Sequence, residues 1–362
     1  MTNQPPASSK AAPPPLTFGA GGPAAGNRIL LPTHATKPER PPTDLIWDLS
    51  GESMGTTWNV RLVPPAGADR AAIQAAIETE LDQIVALFSH WDPRSELSRL
   101  NAAPPGFWAV SEPFWDLLNR CMDLADDTDG AVDPTLGALI ELWGFGPTGP
   151  RPADGSPLPS EEDIQAARAL SGWGQLRLNR DARAVQQLGG RKLDLSGLAK
   201  GHAVDVVSER LTALGATAHL VEIGGELRGA GVRPDMMPWW VELQQAPGAP
   251  GPRTLAGLFD LAVATSGDWI RSFEVDGRRY GHTLDGRLGR PVDNGVASVT
   301  VFADTAFRAD GMATALTVMG PETGPAFAQA LGLAAAFVVR DDAGALSEIV
   351  TPAFAAMAEV GA

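Results

Sequence analysis

The chain has 362 residues, 44% of them hydrophobic, so it is long enough for one large domain or two average ones. Its formal net charge is −15 at pH 7. This acidic excess argues against nucleic acid and anionic membranes as partners, because both attract basic surfaces. A phosphate-bearing ligand would need a metal ion or backbone dipoles to offset the same repulsion.

Residues 1–43 are rich in proline, alanine, glycine and serine, a composition typical of a disordered tail. The stretch 19–24 loosely matches a dinucleotide-binding glycine pattern, but no predicted strand precedes it and no predicted helix follows it. The N-terminus has no apolar signal region and no lipid-attachment cysteine, and no stretch is apolar enough to span a membrane. We therefore expect a cytoplasmic protein whose ordered unit covers 44–362.

Cys121 is the only cysteine, which excludes an internal disulfide and a cysteine-based metal cluster. It lies in a stretch with the periodicity of an amphipathic helix, which favours a buried structural thiol over a reactive one. No histidine pair has the H-E-x-x-H spacing or a comparable one. These patterns give no sign of a cysteine or histidine metal centre.

Hydrophobic periodicity and capping residues predict a mixture of helices and short strands. The predicted helices follow Asp69, span 112–125, begin at the capping-box pair Ser160 and Asp163, span 199–214, and include Asp310 and Thr314. The predicted strands are 57–62, 218–223, 239–243, 258–264, 298–302 and 335–339. Because the two kinds of element do not strictly alternate, we expect an α+β fold with largely antiparallel sheets and packed helices.

Asp310 and Thr314 are the most informative pair in the chain, because they stand four residues apart in a predicted helix. At that spacing a carboxylate and a hydroxyl share one helix face. Together they can bind a hard cation such as Mg2+, which prefers oxygen ligands and often shares them with a phosphate. The alternative is a solvated Asp310 and a Thr314 bonded to its own helix.

The segment 193–202 leads into a predicted helix and could receive a phosphate group. Gly197 permits a tight backbone there, and the free N–H groups of a helix start attract anions. Lys200 adds a positive charge where the helix dipole disfavours one, which suggests an anionic partner. A solvated Lys200 without any ligand is the alternative.

His282 lies in a glycine-rich predicted loop, three residues before Asp285. A histidine in such a place can act as a general acid or base. The alternative is an exposed or structural side chain. Among the other histidines, His34 falls in the tail, His202 on a helix and His219 at a strand, and these offer less.

Taken in chain order, a set of short motifs resembles the FAD:protein FMN transferase (ApbE-like) family. The motifs are M-G-T-T at 54–57, S-E-L-S-R-L-N at 95–101, G-A-V-D-P-T at 130–135, L-W-G-F-G at 142–146, D-L-S-G-L-A-K-G at 194–201, I-G-G-E at 223–226, A-T-S-G-D at 264–268 and A-D-G-M-A-T at 309–314. Each motif is weak alone, but their order is specific and covers about 47–340.

The resemblance implies an enzyme that cleaves the diphosphate of FAD with a divalent metal. FMN would be left as a phosphoester on a threonine or serine of an acceptor flavoprotein, and AMP would leave. Contacts with FAD are then implied at Met54, Trp91, Ala131, Val132, Asp133, Asp194, Lys200 and Leu284. Mg2+ would be held by the Gly197 carbonyl and the side chains of Asp310 and Thr314, and His282 would accept a proton.

The His282 loop departs from the family pattern, with Gly281, Gly286 and Leu288 in place of a histidine, a proline and a threonine. Extra glycine predicts a looser loop with less preorganisation. Two alternatives to FMN transfer therefore stay open. One is metal-dependent hydrolysis of FAD to AMP and FMN, and the other is a module that binds FAD without chemistry.

Overall fold

The computed structural model describes residues 26–33, 37–147, 149 and 157–360. Within these ranges it contains eight α-helices and one 3₁₀ turn, Trp173–Gln175. The helices are α1 Arg70–Phe88, α2 Glu96–Asn101, α3 Glu112–Asp127, α4 Gly137–Leu142, α5 Glu161–Ala169, α6 Ser196–Ala213, α7 Ala306–Ala330 and α8 Pro352–Val360. None of them combines the length and the apolar character that crossing a membrane requires. The cytoplasmic location stays a prediction.

The same ranges contain eighteen strands, most of them short. They are β1 Arg28–Leu30, β2 Trp47–Ser53, β3 Thr56–Leu62, β4 Gly106–Ala109, β5 Leu178–Asn179, β6 Ala184–Gln187, β7 His219–Ile223, β8 Glu226–Ala230, β9 Trp239–Glu242, β10 Thr254–Leu258, β11 Leu261–Gly267, β12 Ser272–Val275, β13 Arg278–Gly281, β14 Leu284–Asp285, β15 Arg290–Pro291, β16 Val296–Ala303, β17 Ala334–Arg340 and β18 Leu346–Val350.

An eight-stranded antiparallel sheet, in the order β18-β17-β16-β11-β8-β7-β3-β2, forms the centre of the fold. The smaller sheets are β1-β10-β9, β4-β6-β5, β12-β13 and β14-β15. Among the strand pairs of the described residues, β1 with β10 is the parallel one. The predicted α+β class with largely antiparallel sheets is confirmed.

Side chains of the central sheet alternate between two apolar layers, as the strand period of two requires. On β7, Val221 joins a core that includes buried residues of α6 and α7, whereas Leu220 joins a second layer. The second layer packs the sheet against β1-β10-β9 and α8, with Trp239 and Phe354 among its members. The sheet therefore fixes α6 and α7, which carry much of the predicted site.

The predicted elements are present, and two of them differ from the prediction by more than one or two residues at an end. Helix α6 begins at Ser196 rather than at 199, so Gly197 lies inside its first turn. The single strand predicted over 258–264 is two strands, β10 and β11, joined by a turn in which Asp260 has φ 48°. Aspartate tolerates this left-handed conformation better than most residues, so the chain reverses within an otherwise apolar run.

Cys121 lies on α3 and is fully buried in the main core. Burial raises the pKa of its thiol, which disfavours the reactive thiolate. The predicted structural role of this cysteine is confirmed.

One strand of the structure, β1, lies within the stretch 1–43 that was predicted to be a tail. Strand β1 pairs with β10, and its Leu30 is completely buried. Leu31 N–H donates to Met357 O at 3.1 Å, and Arg28 pairs with Glu348 at 2.7 Å. The composition of 1–43 as a whole conceals this short apolar segment, which is held in place by residues distant in the chain. Residues 1–25 and 34–36 of the predicted tail lie outside the described residues.

Helices α6 and α7 cross at very short range, because α6 has a glycine at the crossing. A β-carbon on Gly201 would lie 2.4 Å from Ala306 O and 2.8 Å from Asp310 Cβ. One turn later, Asp205 accepts hydrogen bonds from the backbone N–H groups of Ala306 and Phe307, both at 2.9 Å. These amides have no partner within their own helix, so α6 caps the start of α7.

Replacing Gly201 with alanine should lower the free energy of unfolding by about 1–3 kcal/mol, because α6 must move away from α7. The matched control is Gly197→Ala on the same helix, where the added β-carbon would meet Thr314 Oγ1 at 3.9 Å, an ordinary contact. Urea denaturation of the two variants measures the difference. An equal loss in both would contradict a close crossing at Gly201.

Candidate active site

The start of α6 is organised by Asp194, which stands just before the helix. Its carboxylate accepts a hydrogen bond from Ser196 N–H at 2.8 Å and another from the Ser196 hydroxyl. Its own N–H donates to Pro134 O at 2.9 Å, which ties the helix start to the turn 131–135. The positive end of the α6 dipole, where anions are favoured, is therefore held at a fixed junction.

His90 holds Asp194 from the opposite side. Its Nδ1 lies 2.6 Å from Asp194 Oδ2, and the two side chains are 8% and 5% exposed. Burial acts to raise the pKa of Asp194, but the contact with His90 and the hydrogen bonds from Ser196 bring it below its ordinary value. Asp194 is thus an ionised carboxylate at neutral pH.

The three predicted metal ligands lie together where α6 meets α7. Asp310 Oδ2 accepts a hydrogen bond from Gly201 N at 3.0 Å, which orients the carboxylate. One turn along α7, Thr314 Oγ1 lies 3.5 Å from Ser266 Oγ, and a β-carbon on Gly197 would be 3.9 Å from it. Asp310 and Thr314 therefore share the face of α7 that meets the first turns of α6.

The charge around this point is predominantly negative and buried. Lys200 forms an ion pair with Glu226, which is almost fully buried. Burial acts to lower the pKa of Lys200, but the carboxylates of Glu226 and Asp310 raise it above its ordinary value. Burial raises the pKa of Asp310, a rise that Lys200 and the N–H of Gly201 oppose. Lys200 is thus a charged side chain with carboxylate partners, and its role toward a ligand stays a prediction.

These residues fit a hard divalent cation. Glu226 Oε2 is buried without a hydrogen-bond partner among the described residues, so the carboxylates have more acceptor capacity than Lys200 fills. A carboxylate, a hydroxyl and a carbonyl are oxygen donors of the type that Mg2+ takes, with water and phosphate completing the shell. No cluster of three or more His, Cys, Asp or Glu side chains within the described ranges has metal-binding geometry.

Met54 forms the tip of the hairpin between β2 and β3, beside Lys200. Met54 and Gly55 have φ values of 55° and 73°, the conformation of a two-residue hairpin turn. Positive φ is uncommon for methionine and is found at functional sites. The hairpin meets the β7–β8 turn, where a β-carbon on Gly224 would lie 2.9 Å from Thr56 Cγ2 and 3.3 Å from Lys200 Cδ.

Trp91 is an exposed aromatic surface next to the start of α6, with 52% of its surface accessible. Its ring lies 5.1 Å from the ring of His90, and the Arg271 guanidinium carbon lies 5.9 Å from the ring centre. Arg271 also donates to Phe145 O at 3.1 Å. Burial lowers the pKa of Arg271, and the charge of Asp194 opposes that change. An exposed indole beside a partly buried cation suits a flat, anionic ligand.

The segment Ala131–Asp133 is packed into the protein rather than open. Ala131 and Val132 are buried members of the main core. Asp133 accepts hydrogen bonds from Thr135 N–H at 2.8 Å and from Trp173 N–H at 3.1 Å. Burial raises the pKa of its carboxyl, and these hydrogen bonds oppose the rise. Any contact of this segment with a ligand would therefore come from its backbone or from the Asp133 edge.

His282 follows β13, and its orientation is set by Arg271. Both its backbone N–H and its Nδ1 donate to Arg271 O, at 3.0 and 3.2 Å. With the hydrogen on Nδ1, the neutral ring carries its lone pair on Nε2, which is the form that a general base requires. The ring also lies edge-on to Phe145, 6.4 Å between centroids.

The loop after His282 is more constrained than its glycine content predicts. A β-carbon on Gly286 would lie 2.8 Å from a terminal methyl of Leu136, so the loop packs closely against that side chain. Gly289 O accepts from the Trp143 indole at 2.9 Å. Leu284 is buried in a small apolar cluster with Leu136 and Trp143. The expectation of a loose loop is therefore not matched by its contacts.

Two of the other histidines have structural surroundings. His219 Nδ1 donates to Ala216 O at 2.7 Å, and its Nε2 lies 2.8 Å from Ser208 Oγ. Burial lowers the pKa of His219 to about 4. Burial, with the charge of Arg120, lowers the pKa of His202 on α6 to about 4 as well. Both side chains are therefore neutral at pH 7, while His34 lies outside the described residues.

His90 and Arg271 were not predicted from the sequence. His90 directly precedes Trp91 in a short turn after α1, and no spacing rule links it to Asp194, which lies 104 positions later. Weighing each of the five histidines against the residue beside it would have drawn attention to His90. Arg271 gave no signal, because its place depends on the pairing of β12 with β13.

Comparison with known proteins identifies the family. The model of the ApbE family matches residues 54–337. This chain belongs to the ApbE family. An FAD:protein FMN transferase of Vibrio cholerae is 38% identical over 305 residues, which cover 82% of this chain and 88% of the relative. The enzyme of the same name from Escherichia coli K12 is 32% identical over 317 residues, covering 85% and 86%.

Solved ApbE structures have the same fold. The apo flavinyl transferase ApbE of Pseudomonas stutzeri superposes with a TM-score of 0.78 and 39% identity, covering 86% of this chain and 96% of that one. The flavin transferase ApbE of Vibrio cholerae gives 0.78 and 35%, covering 86% and 98%. The family match thus spans nearly all the elements that form the candidate site.

Proposed function

We propose that this chain is an FAD:protein FMN transferase. It takes FAD and an acceptor flavoprotein as substrates, leaves FMN on a threonine or serine hydroxyl, and releases AMP. One observation carries the proposal: in a chain of the ApbE family, Asp310 and Thr314 lie on the face of α7 that meets Gly197 and Gly201 in the first turns of α6. A helix start beside a hard-cation site suits a diphosphate, and FAD contains one.

The bond changes of the transfer balance without a redox partner. The acceptor hydroxyl oxygen attacks the phosphorus on the FMN side of the diphosphate, and a new P–O ester bond forms. The bond between that phosphorus and the bridging oxygen breaks, and the bridging oxygen leaves with AMP. The hydroxyl proton must be removed as the oxygen attacks, and the charge growing on the leaving phosphate must be stabilised.

Asp310, Thr314 and the Gly197 carbonyl would hold Mg2+ against the diphosphate. A divalent ion bound there neutralises phosphate charge and stabilises the charge that develops on the leaving group. Lys200 adds a positive charge near the same point, and its pairing with Glu226 keeps it charged. These local positive charges explain how a strongly acidic chain can bind FAD.

His282 would accept the proton of the acceptor hydroxyl. Its Nδ1–H is used by Arg271 O, so the neutral ring presents a lone pair on Nε2. Trp91 would offer its exposed indole to a ring of FAD, and Met54 would contact FAD from the β2–β3 hairpin. Ala131, Val132, Asp133 and Leu284 would close the far side of the FAD site.

The test of this function mixes the purified chain with FAD, Mg2+ and a candidate acceptor flavoprotein, and then measures flavin fluorescence on the denatured acceptor. A Mg2+-dependent fluorescent band with one AMP per transferred FMN is expected. AMP with free FMN and no band, repeated over several acceptors, would instead indicate FAD hydrolysis. Bound FAD without AMP would indicate a binding protein without chemistry.

In this assay, Asp310→Asn should reduce Mg2+-dependent turnover by about a hundredfold or more. The reason is that Mg2+ would lose a carboxylate ligand, and the ion's charge stabilises the transition state by several kcal/mol. The matched control is Asp304→Asn, which removes an exposed carboxylate just before the same helix. Circular dichroism melting confirms that both variants fold. Full turnover in folded Asp310→Asn would remove the metal assignment.

His282→Asn should slow transfer by roughly a hundredfold to ten-thousandfold, the range typical of a lost general base. Asparagine can keep the donation to Arg271 O while removing the basic Nε2, so the dissociation constant of FAD should change little. Single-turnover rates on bound FAD are compared with FAD affinity from fluorescence quenching. A variant with weaker FAD binding and a normal single-turnover rate would show that His282 binds rather than reacts.

A further inference from the structure

His90 presents a buried nitrogen without a partner at the start of α6. Its side chain is 8% exposed, and its Nε2 has no hydrogen-bond partner among the described residues. A buried polar atom left unpaired costs free energy, so native proteins rarely keep one without a reason. A ligand that fills the site would give this nitrogen its partner.

Asp194 determines which way the imidazole faces. Its ionised carboxylate can only accept, so His90 Nδ1 carries the hydrogen that lies 2.6 Å from Asp194 Oδ2. Asp194 is fixed in turn by the N–H and hydroxyl of Ser196, the first residue of α6. The free Nε2 is therefore held in one position relative to the helix start.

The surroundings of His90 favour an anionic occupant. Arg271, whose guanidinium lies beside Trp91, is partly buried and close enough to Asp194 for their charges to interact. The start of α6 adds the positive end of the helix dipole. An imidazole that carries a hydrogen on each nitrogen donates from Nε2 as well as from Nδ1, and a phosphate oxygen is the acceptor that such a group of donors fits.

We propose that His90 is a further FAD-contacting residue, held by Asp194, whose Nε2–H donates a hydrogen bond to a phosphate oxygen of the FAD diphosphate. This inference rests on the proposed function, since it takes FAD as the ligand. No covalent bond is made or broken by His90. In this arrangement His90 binds the diphosphate, Asp310 and Thr314 hold the metal ion, and His282 handles the acceptor proton.

The test compares two replacements, each of which keeps one of the two hydrogen-bonding positions of the imidazole. In His90→Asn, the side-chain amide can still donate to Asp194 but cannot reach the ligand. In His90→Gln, the longer amide reaches the position of Nε2 but loses the Asp194 contact. Affinity for FAD and for riboflavin, which has no phosphate, is measured by quenching of flavin fluorescence at constant Mg2+.

His90→Asn should bind FAD about tenfold more weakly or worse, the effect of a lost charge-assisted hydrogen bond, with riboflavin affinity unchanged. His90→Gln should keep FAD affinity within a few-fold of the native chain. The reverse order, with asparagine binding FAD better than glutamine, would show that His90 only positions Asp194. An equal loss for FAD and riboflavin would show a damaged pocket and would also overturn the proposal.

If the proposed transferase function is wrong, the native chain itself shows it, without any variant. A native chain that binds FAD but transfers no FMN contradicts the transferase alone, and the His90 comparison then still decides its own question. A native chain that binds no FAD contradicts the function directly, before any variant is made. Thermal melting of both variants with FAD absent confirms that each retains the fold.

Discussion

The close crossing of α6 and α7 is the constraint on which the rest of the site depends. Gly201 lets the two backbones approach, and Asp205 caps the start of α7 from α6. The same crossing brings the first turn of α6 against the face of α7 that carries Asp310 and Thr314. A few tenths of an ångström matter to a Mg2+ site, because the ion demands near-ideal geometry. The packing of the two helices would thus set the geometry of the proposed metal ligands, and the central sheet holds both helices.

Charge explains how an acidic chain can offer a site for a diphosphate. The net charge of −15 acts over the whole surface and is screened by salt within about 10 Å. Within the site, the α6 dipole, Lys200 and Arg271 act over a few ångströms in surroundings of low dielectric. Each has a carboxylate neighbour or a backbone partner that fixes its position. At the site, these fixed positive charges therefore outweigh the overall negative charge, and a bound divalent ion would add to the positive charge.

The sequence predicted the fold class and the ligand-bearing elements, because helical spacing and capping residues are local signals. Asp69, Ser160 and the pair Asp310 and Thr314 all lie where their patterns indicate. Strand β1 was missed because a three-residue strand is ordered by distant partners rather than by its own composition. His90 was missed for a related reason: what marks it is its contact with Asp194, and the two residues come together only in the folded chain. The His282 loop was expected to be loose from its glycines, but contacts with the Trp143 indole and with the apolar cluster around Leu284 hold it.

The most direct measurement is a crystal structure of this chain with FAD and Mn2+, which stands in for Mg2+ and is located by its anomalous signal. The account predicts one ion peak about 2.1–2.2 Å from the Asp310 carboxylate, the Thr314 hydroxyl and the Gly197 carbonyl, with the FAD diphosphate completing its shell. An ion held instead by Glu226, or a diphosphate bound away from the start of α6, would contradict this prediction.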